Sequence, residues 1–139
     1  MTYSATCLCG SIELTLTLPK DISSYTPRAC DCDFCIDRDL NYLSDPEGHL
    51  LIQSKTPMNK LKQGTEQATF LECLKCEKVV AVICYENSLV KGAVSAELFR
   101  EKYTLAKAQS ASPKLLSATE KRERWRKLWL TVELSQTGH

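Results

Sequence analysis

Apolar and polar residues alternate without a break over residues 11–18. Ile12, Leu14, Leu16 and Leu18 fall on one face, and Glu13, Thr15 and Thr17 on the other. A period of two predicts a strand with one face in the core and one in water. Pro19, which has no amide proton to donate, ends it. Residues 20–27 read as a loop and 40–43 as a short strand. Asp45-Pro46-Glu47-Gly48 reads as a turn, with 49–53 as the return strand of a hairpin. Residues 56–64 lack periodicity and are expected to be loop, and 68–72 to be a strand. Over 78–85 the run of Val79, Val80, Val82 and Ile83 is apolar on both faces and β-branched, which predicts a strand buried on both sides. Residues 96–103 suit one or two helical turns, and 108–113 form a small polar linker.

Only near the C-terminus does the period become helical. Ser117-Ala118-Thr119-Glu120 is a capping box, and Trp125, Leu128, Trp129 and Val132 follow at i, i+3, i+4 and i+7. The opposite face carries Lys121, Arg122, Arg124, Arg126 and Lys127 against Glu120 and Glu123, as expected of a solvated face on a helix docked by its tryptophans. The expected architecture is mostly β, with antiparallel sheets and a C-terminal helix.

Composition narrows the class of protein. At 139 residues the chain is expected to form a single domain over 1–139, with 43% hydrophobic and 25% charged residues, both ordinary for a globular protein. Lys and Arg number 18 against 17 Asp and Glu, a net charge of +1, so no global field draws the chain to nucleic acid or membrane. The N-terminus lacks the basic and apolar regions of a secretory signal, and the apolar run over 79–84 is too short to span a bilayer. A soluble, cytoplasmic protein is expected, and in that compartment thiols stay reduced.

This compartment changes the meaning of the eight cysteines, seven of which fall into three tight groups. They are Cys7-Leu8-Cys9-Gly10, Cys30-Asp31-Cys32-Asp33-Phe34-Cys35 and Cys73-Leu74-Lys75-Cys76. Reduced, clustered cysteines point to metal rather than disulfides, and a CxC pair bridges only with strain. A CxC pair and a distant CxxC pair can close a four-thiolate cage around zinc. That assigns Cys7, Cys9, Cys73 and Cys76 to one closed site. Cys30, Cys32 and Cys35 are left as three ligands around a second zinc with a vacant position, the arrangement of a site that does chemistry. Asp31, Asp33 and Asp37 flank this group as candidate proton carriers or fourth ligands. Arg28 and Arg38 bracket it and suit a substrate carboxylate. His49 and His139 are expected at the surface, Phe34 to pack, and Cys84 to be a buried free thiol.

The ordered motifs resemble those of the glutathione-dependent formaldehyde-activating enzyme family, which also includes centromere protein V. The resemblance runs from Cys7 to about Trp129. It rests on the three cysteine motifs, on Tyr42-Leu43-Ser44-Asp45-Pro46-Glu47-Gly48, on Lys62-Gln63-Gly64 and on Glu123-Arg124-Trp125. It implies a β-tent, a small zinc-stapled assembly of antiparallel sheets. It implies a structural zinc on Cys7, Cys9, Cys73 and Cys76, and a reactive zinc on Cys30, Cys32 and Cys35. The implied activity is condensation of glutathione with formaldehyde to S-hydroxymethylglutathione, a carbon–sulfur lyase in reverse. Two positions depart from the family's usual pattern. Glu77 stands where members have Gly after the third motif, and Asp39-Leu40 where related members often have His-Gly. If position 77 needs a positive φ, a non-glycine residue there costs about 1 kcal/mol.

Three functions follow from these residues. The first is addition of a small thiol, such as glutathione, to formaldehyde or a related aldehyde. The second is a non-catalytic zinc-stapled module that binds a protein partner. In the third, Asp31 or Asp37 closes the middle group and both zinc ions are structural.

Overall fold

The computed structural model describes residues 1–30, 40–62, 69–86, 89–100, 102–111 and 129–136, with the backbone alone at 30, 62, 86, 110, 111 and 136. Its strands are β1 (Thr2–Thr6), β2 (Ile12–Thr17), β3 (Arg28–Cys30), β4 (Asn41–Leu43), β5 (His49–Ser54), β6 (Met58–Lys62), β7 (Thr69–Cys73), β8 (Val79–Glu86), β9 (Leu89–Ser95), β10 (Gln109–Ala111) and β11 (Leu130–Gln136). Among the described residues a 3₁₀ turn spans Ile22–Ser24 and a short helix, α1, spans Ala96–Arg100. The chain is mostly β, as its alternation predicts. None of its described helices is long and apolar enough to cross a membrane.

The sheet branches at β9. One edge of β9 pairs with β8, which continues to β7 and β6. Its other edge is shared: Lys91 and Gly92 pair with β11, and Val94 and Ser95 with β4. From β11 the ladder runs through β5 and β2 to β1, and from β4 through β3 to β10. Most pairs are antiparallel; β11 with β5 and β10 with β3 are parallel, which the long connections before β10 and β11 allow. A side chain at Gly92 would have no room at this junction. A Cβ there would lie 2.5 Å from the Val82 carbonyl oxygen and 3.0 Å from side-chain atoms of Ile83 and Val132.

The alternation of β2 sets the core. Ile12, Leu14 and Leu16 are buried, and Leu50, Ile52, Leu130 and Val132 of neighbouring strands join them. β8 is buried on both faces, as its composition predicts. Ile83 and Ala81 enter the main core, whereas Val82 and Cys84 enter a second cluster with Leu40, Tyr42, Phe70 and Trp129.

Several expectations are corrected. Residues 49–53 form a strand but not the return of a hairpin with 40–43: β5 pairs with β2 and β11, and β4 with β3 and β9. The turn itself is real, with the Gly48 N–H donating to the Asp45 carbonyl at 2.9 Å. It redirects the chain from one arm of the sheet to the other. Tyr25 Oη, donating to Asp45 Oδ2 at 2.6 Å, anchors it. Within 56–64 the expected loop contains β6, an edge strand whose pairing with β7 does not require alternating apolar residues. Residues 108–113 contain β10, held by β3 rather than by its own propensity. The helix start at 117–128 lies outside the described residues, but Val132 belongs to β11, where Leu130, Val132 and Leu134 recur at a period of two.

A polar network fixes β4 to α1. Asn41 Nδ2 donates to Glu97 Oε1 at 2.9 Å, and Arg100 Nε donates to the same oxygen at 3.1 Å. Arg100 also donates to Asn41 Oδ1 and to the Leu105 and Ala106 carbonyls, holding the chain that leads to β10. The Asn41 amide, and then Arg100, hold the Glu97 carboxyl below its ordinary 4.5 against the opposing effect of burial. A depressed carboxyl stabilises the fold above the unfolded value and stops doing so as pH falls through the folded one. Glu97→Gln is therefore expected to lower the melting temperature at neutral pH. The gap from wild type should narrow on acidification below about 4.5; a gap that does not change with pH would contradict this role.

A four-cysteine candidate metal centre

Two tight turns build the centre. In the first, Cys7 follows β1, and its N–H donates to the Ile12 carbonyl at 3.1 Å, closing the β1–β2 hairpin. The Gly10 N–H donates to the Cys7 carbonyl at 3.1 Å, and Gly10 takes φ +81°, which a glycine adopts without strain. Cys73 ends β7 in the second turn, where the Cys73 N–H donates to Lys78 O and the Glu77 N–H to Cys73 O, both at 3.0 Å. Glu77 has φ +59°. Position 77 is therefore left-handed, and this chain holds it with glutamate.

The two turns bring four sulfurs together. The Sγ atoms of Cys7 and Cys9 are 3.6 Å apart, those of Cys7 and Cys73 3.7 Å, and those of Cys9 and Cys73 3.5 Å. With Cys76 included, all four lie within 4.8 Å of one another. A disulfide needs about 2.05 Å between sulfurs, and these thiols are free. Four sulfurs at about 2.3 Å from a central ion form a tetrahedron with edges of about 3.8 Å. The observed spacing suits that tetrahedron, so the cluster can hold a metal ion. The ligand set is the one the spacing of CxC and CxxC predicts.

Burial and hydrogen bonds make the four thiols unequal. Cys73 is fully buried and Cys7 2% exposed, Cys76 is half-buried, and Cys9 is exposed. Burial pushes the Cys7 thiol up to about 11, although the Ile12 N–H, 3.4 Å from its sulfur, pulls the other way. The Ser11 hydroxyl, 2.9 Å from Cys9 Sγ, and then the Ser11 N–H bring Cys9 down to about 6. For Cys76 burial opposes ionisation, yet the Lys78 and Cys9 N–H groups and the neighbouring thiols hold it below the ordinary range. The metal-free cluster thus carries part of the negative charge that a cation would neutralise.

No model of a known protein family matches this sequence, and no curated protein matches it. A crystal structure of a Rhodobacter sphaeroides protein, from a structural genomics programme, superposes with a TM-score of 0.54 at 19% identity. The match covers 74% of this chain and 98% of that one. The fold is shared. At that identity the likeness says nothing about chemistry.

The other predicted site residues are placed as follows. Cys30 ends β3, two residues after Arg28. Arg28 hydrogen-bonds the Ser44 hydroxyl at the end of β4. Cys32, Cys35 and Arg38 lie outside the described residues, as do Asp31, Asp33, Phe34, Asp37, Asp39 and His139. His49 is a surface residue 3.6 Å from the Glu133 carboxylate, and Cys84 is buried, as expected of both. Ser11 was not singled out in the sequence, although a hydroxyl directly after CxCG is a visible signal for a hydrogen bond to a ligand sulfur.

Proposed function

We propose that Cys7, Cys9, Cys73 and Cys76 hold a structural zinc ion, and that Cys30, Cys32 and Cys35 hold a second one. At that second centre the chain adds a small thiol, glutathione, to formaldehyde or a related aldehyde. One observation supports the reading: among the described residues, the CxC and CxxC pairs bring their four sulfurs within 4.8 Å of one another, a complete tetrahedral donor set. The resemblance described above gives the CxCxxC group its reaction class. The reduced thiols that this reading needs agree with a cytoplasmic setting.

Three thiolates leave a zinc centre with a net charge near −1, poorly suited to ionising water and well suited to favouring the thiolate form of a fourth sulfur ligand. Arg28, two residues before Cys30 on β3, suits a carboxylate of the incoming thiol. Addition forms one sulfur–carbon bond, and the carbonyl oxygen takes up a proton. Holding sulfur and carbonyl together supplies much of the acceleration.

Metal analysis of the reduced protein is expected to give two zinc ions per chain. Glutathione binding is expected to release about one proton per chain near neutral pH, read by calorimetry in buffers of different ionisation enthalpy. Cys32→Ser should lose that release. Binding without proton release, or binding no tighter than that of the S-methyl analogue, would move the reading to a zinc-stapled module that docks a protein partner. That second reading is favoured by Leu8 and Leu74, 64% and 51% exposed at the tips of the two cysteine turns.

A further inference from the structure

The four sulfurs are equivalent as ligands but not in their access to solvent. Cys7 and Cys73 are sealed in the core and Cys76 is half-covered, whereas Cys9 is an exposed residue. Two groups lie against the Cys9 sulfur. The Ser11 hydroxyl lies 2.9 Å from it, and the Cys73 sulfur waits 3.5 Å behind it. An accessible cysteine sulfur beside a second thiol is the arrangement of a cysteine that peroxides oxidise. The link is also well placed to matter, because it joins the β1–β2 turn to the β7–β8 turn, elements that share no strand pairing.

We propose that Cys9 is an oxidation site through which a hydroperoxide opens the cage. The inference rests on the reading of the cluster as a zinc site. The Cys9 sulfur attacks the peroxide, the O–O bond breaks, and Cys9 becomes a sulfenic acid as one hydroxide (or alkoxide) leaves. The Cys73 sulfur then attacks the Cys9 sulfur, a disulfide forms, and a second hydroxide leaves. Two thiolates have lost two electrons, and the peroxide, with two protons from solvent, has become two waters or a water and an alcohol. Cys73 is the resolving partner because it is near in space. Cys7, at 3.6 Å, would form a strained CxC bridge. Two ligands remain, too few for a structural tetrahedral site, and the ion is lost.

The test uses the zinc-loaded full chain and hydrogen peroxide, with zinc release followed by a chromogenic chelator. Sulfenic acid is trapped with a 1,3-dione, and disulfides are mapped by peptide mass spectrometry. Zinc release is expected with the first trapped adduct at Cys9 and with a disulfide joining Cys9 to Cys73. In Cys9→His, which keeps four zinc-binding side chains, release from this cage should be slower by about tenfold or more. Zinc retained under peroxide, or a first adduct at Cys30, Cys32 or Cys35 with no disulfide at Cys9, would overturn the proposal. The adduct and disulfide maps come from the unsubstituted chain and so decide the matter even if Cys9→His does not fold. Zinc absent from the reduced protein before any peroxide is added would instead overturn the reading of the cluster as a zinc site.

Discussion

Cys73→Ser is expected to yield no soluble folded protein. Cys73 and its partner Cys7 are 66 residues apart and fully or almost fully buried. Substitution leaves three thiolates in a site with no fourth donor and places a hydroxyl in the core. A structural zinc contributes about 10–16 kcal/mol of apparent binding free energy in small zinc-binding peptides. A whole domain is stable by only about 5–15 kcal/mol. Loss of the site can therefore consume the entire margin. Cys32→Ser should stay folded, because Cys30 to Cys35 closes only a short local loop. Expression, circular dichroism and thermal melting of both variants provide the measurement. Equal losses of melting temperature would sink the division of the cysteines into a structural and a reactive site.

Phe99→Ala should be the most damaging single truncation away from the cysteines, costing about 3–5 kcal/mol. Phe99 is fully buried in α1. Its ring stacks on Tyr103 with centroids 6.4 Å apart, and Tyr103 meets Tyr3 of β1 edge-on at 5.0 Å. The Lys102 and Tyr103 N–H groups both donate to the Phe99 carbonyl, so the end of the helix turns on this residue. Tyr103 in turn accepts from the Ser4 N–H and covers the outer edge of β1. A cavity here would loosen α1, β1 and the chain leading to β10 together. In denaturant titration the midpoint should fall sharply. Tyr85→Ala, at a residue 55% exposed, should move it little, within about 0.5 kcal/mol. A loss below about 1 kcal/mol for Phe99→Ala would show that α1 is not part of the cooperative core.

The elements were legible in proportion to how locally they are determined. β2 announces itself because all its buried positions are two apart, and β8 because its β-branched run admits little else. β6 and β10 give no such signal. Neither has an alternating apolar sequence of its own; each is paired along its length with a neighbouring strand that offers a ladder of donors and acceptors. β1 and β9 also escape a local reading, since Ala5, Gly92 and Ala93 are weakly strand-forming until the core surrounds them. The helical periodicity that includes Val132 is cut short at β11, where pairing with β5 along six residues outweighs an i, i+7 match.

For the centre, the sequence by itself grouped the four cysteines that the fold brings within 4.8 Å of one another, because each CxC or CxxC pair sits on a single tight turn. It also specified a mostly β chain, through a period that is a property of the strand and needs no partner. Only the tertiary structure decided which strands meet, because paired residues lie up to 82 positions apart along the chain, as His49 and Thr131 do. The same packing decided that Glu77 takes a left-handed conformation, that Ser11 stands beside the Cys9 sulfur, and that of four like thiols one faces water. Exposure and hydrogen bonding are properties of a neighbourhood, and that neighbourhood is assembled from segments that are remote in the sequence.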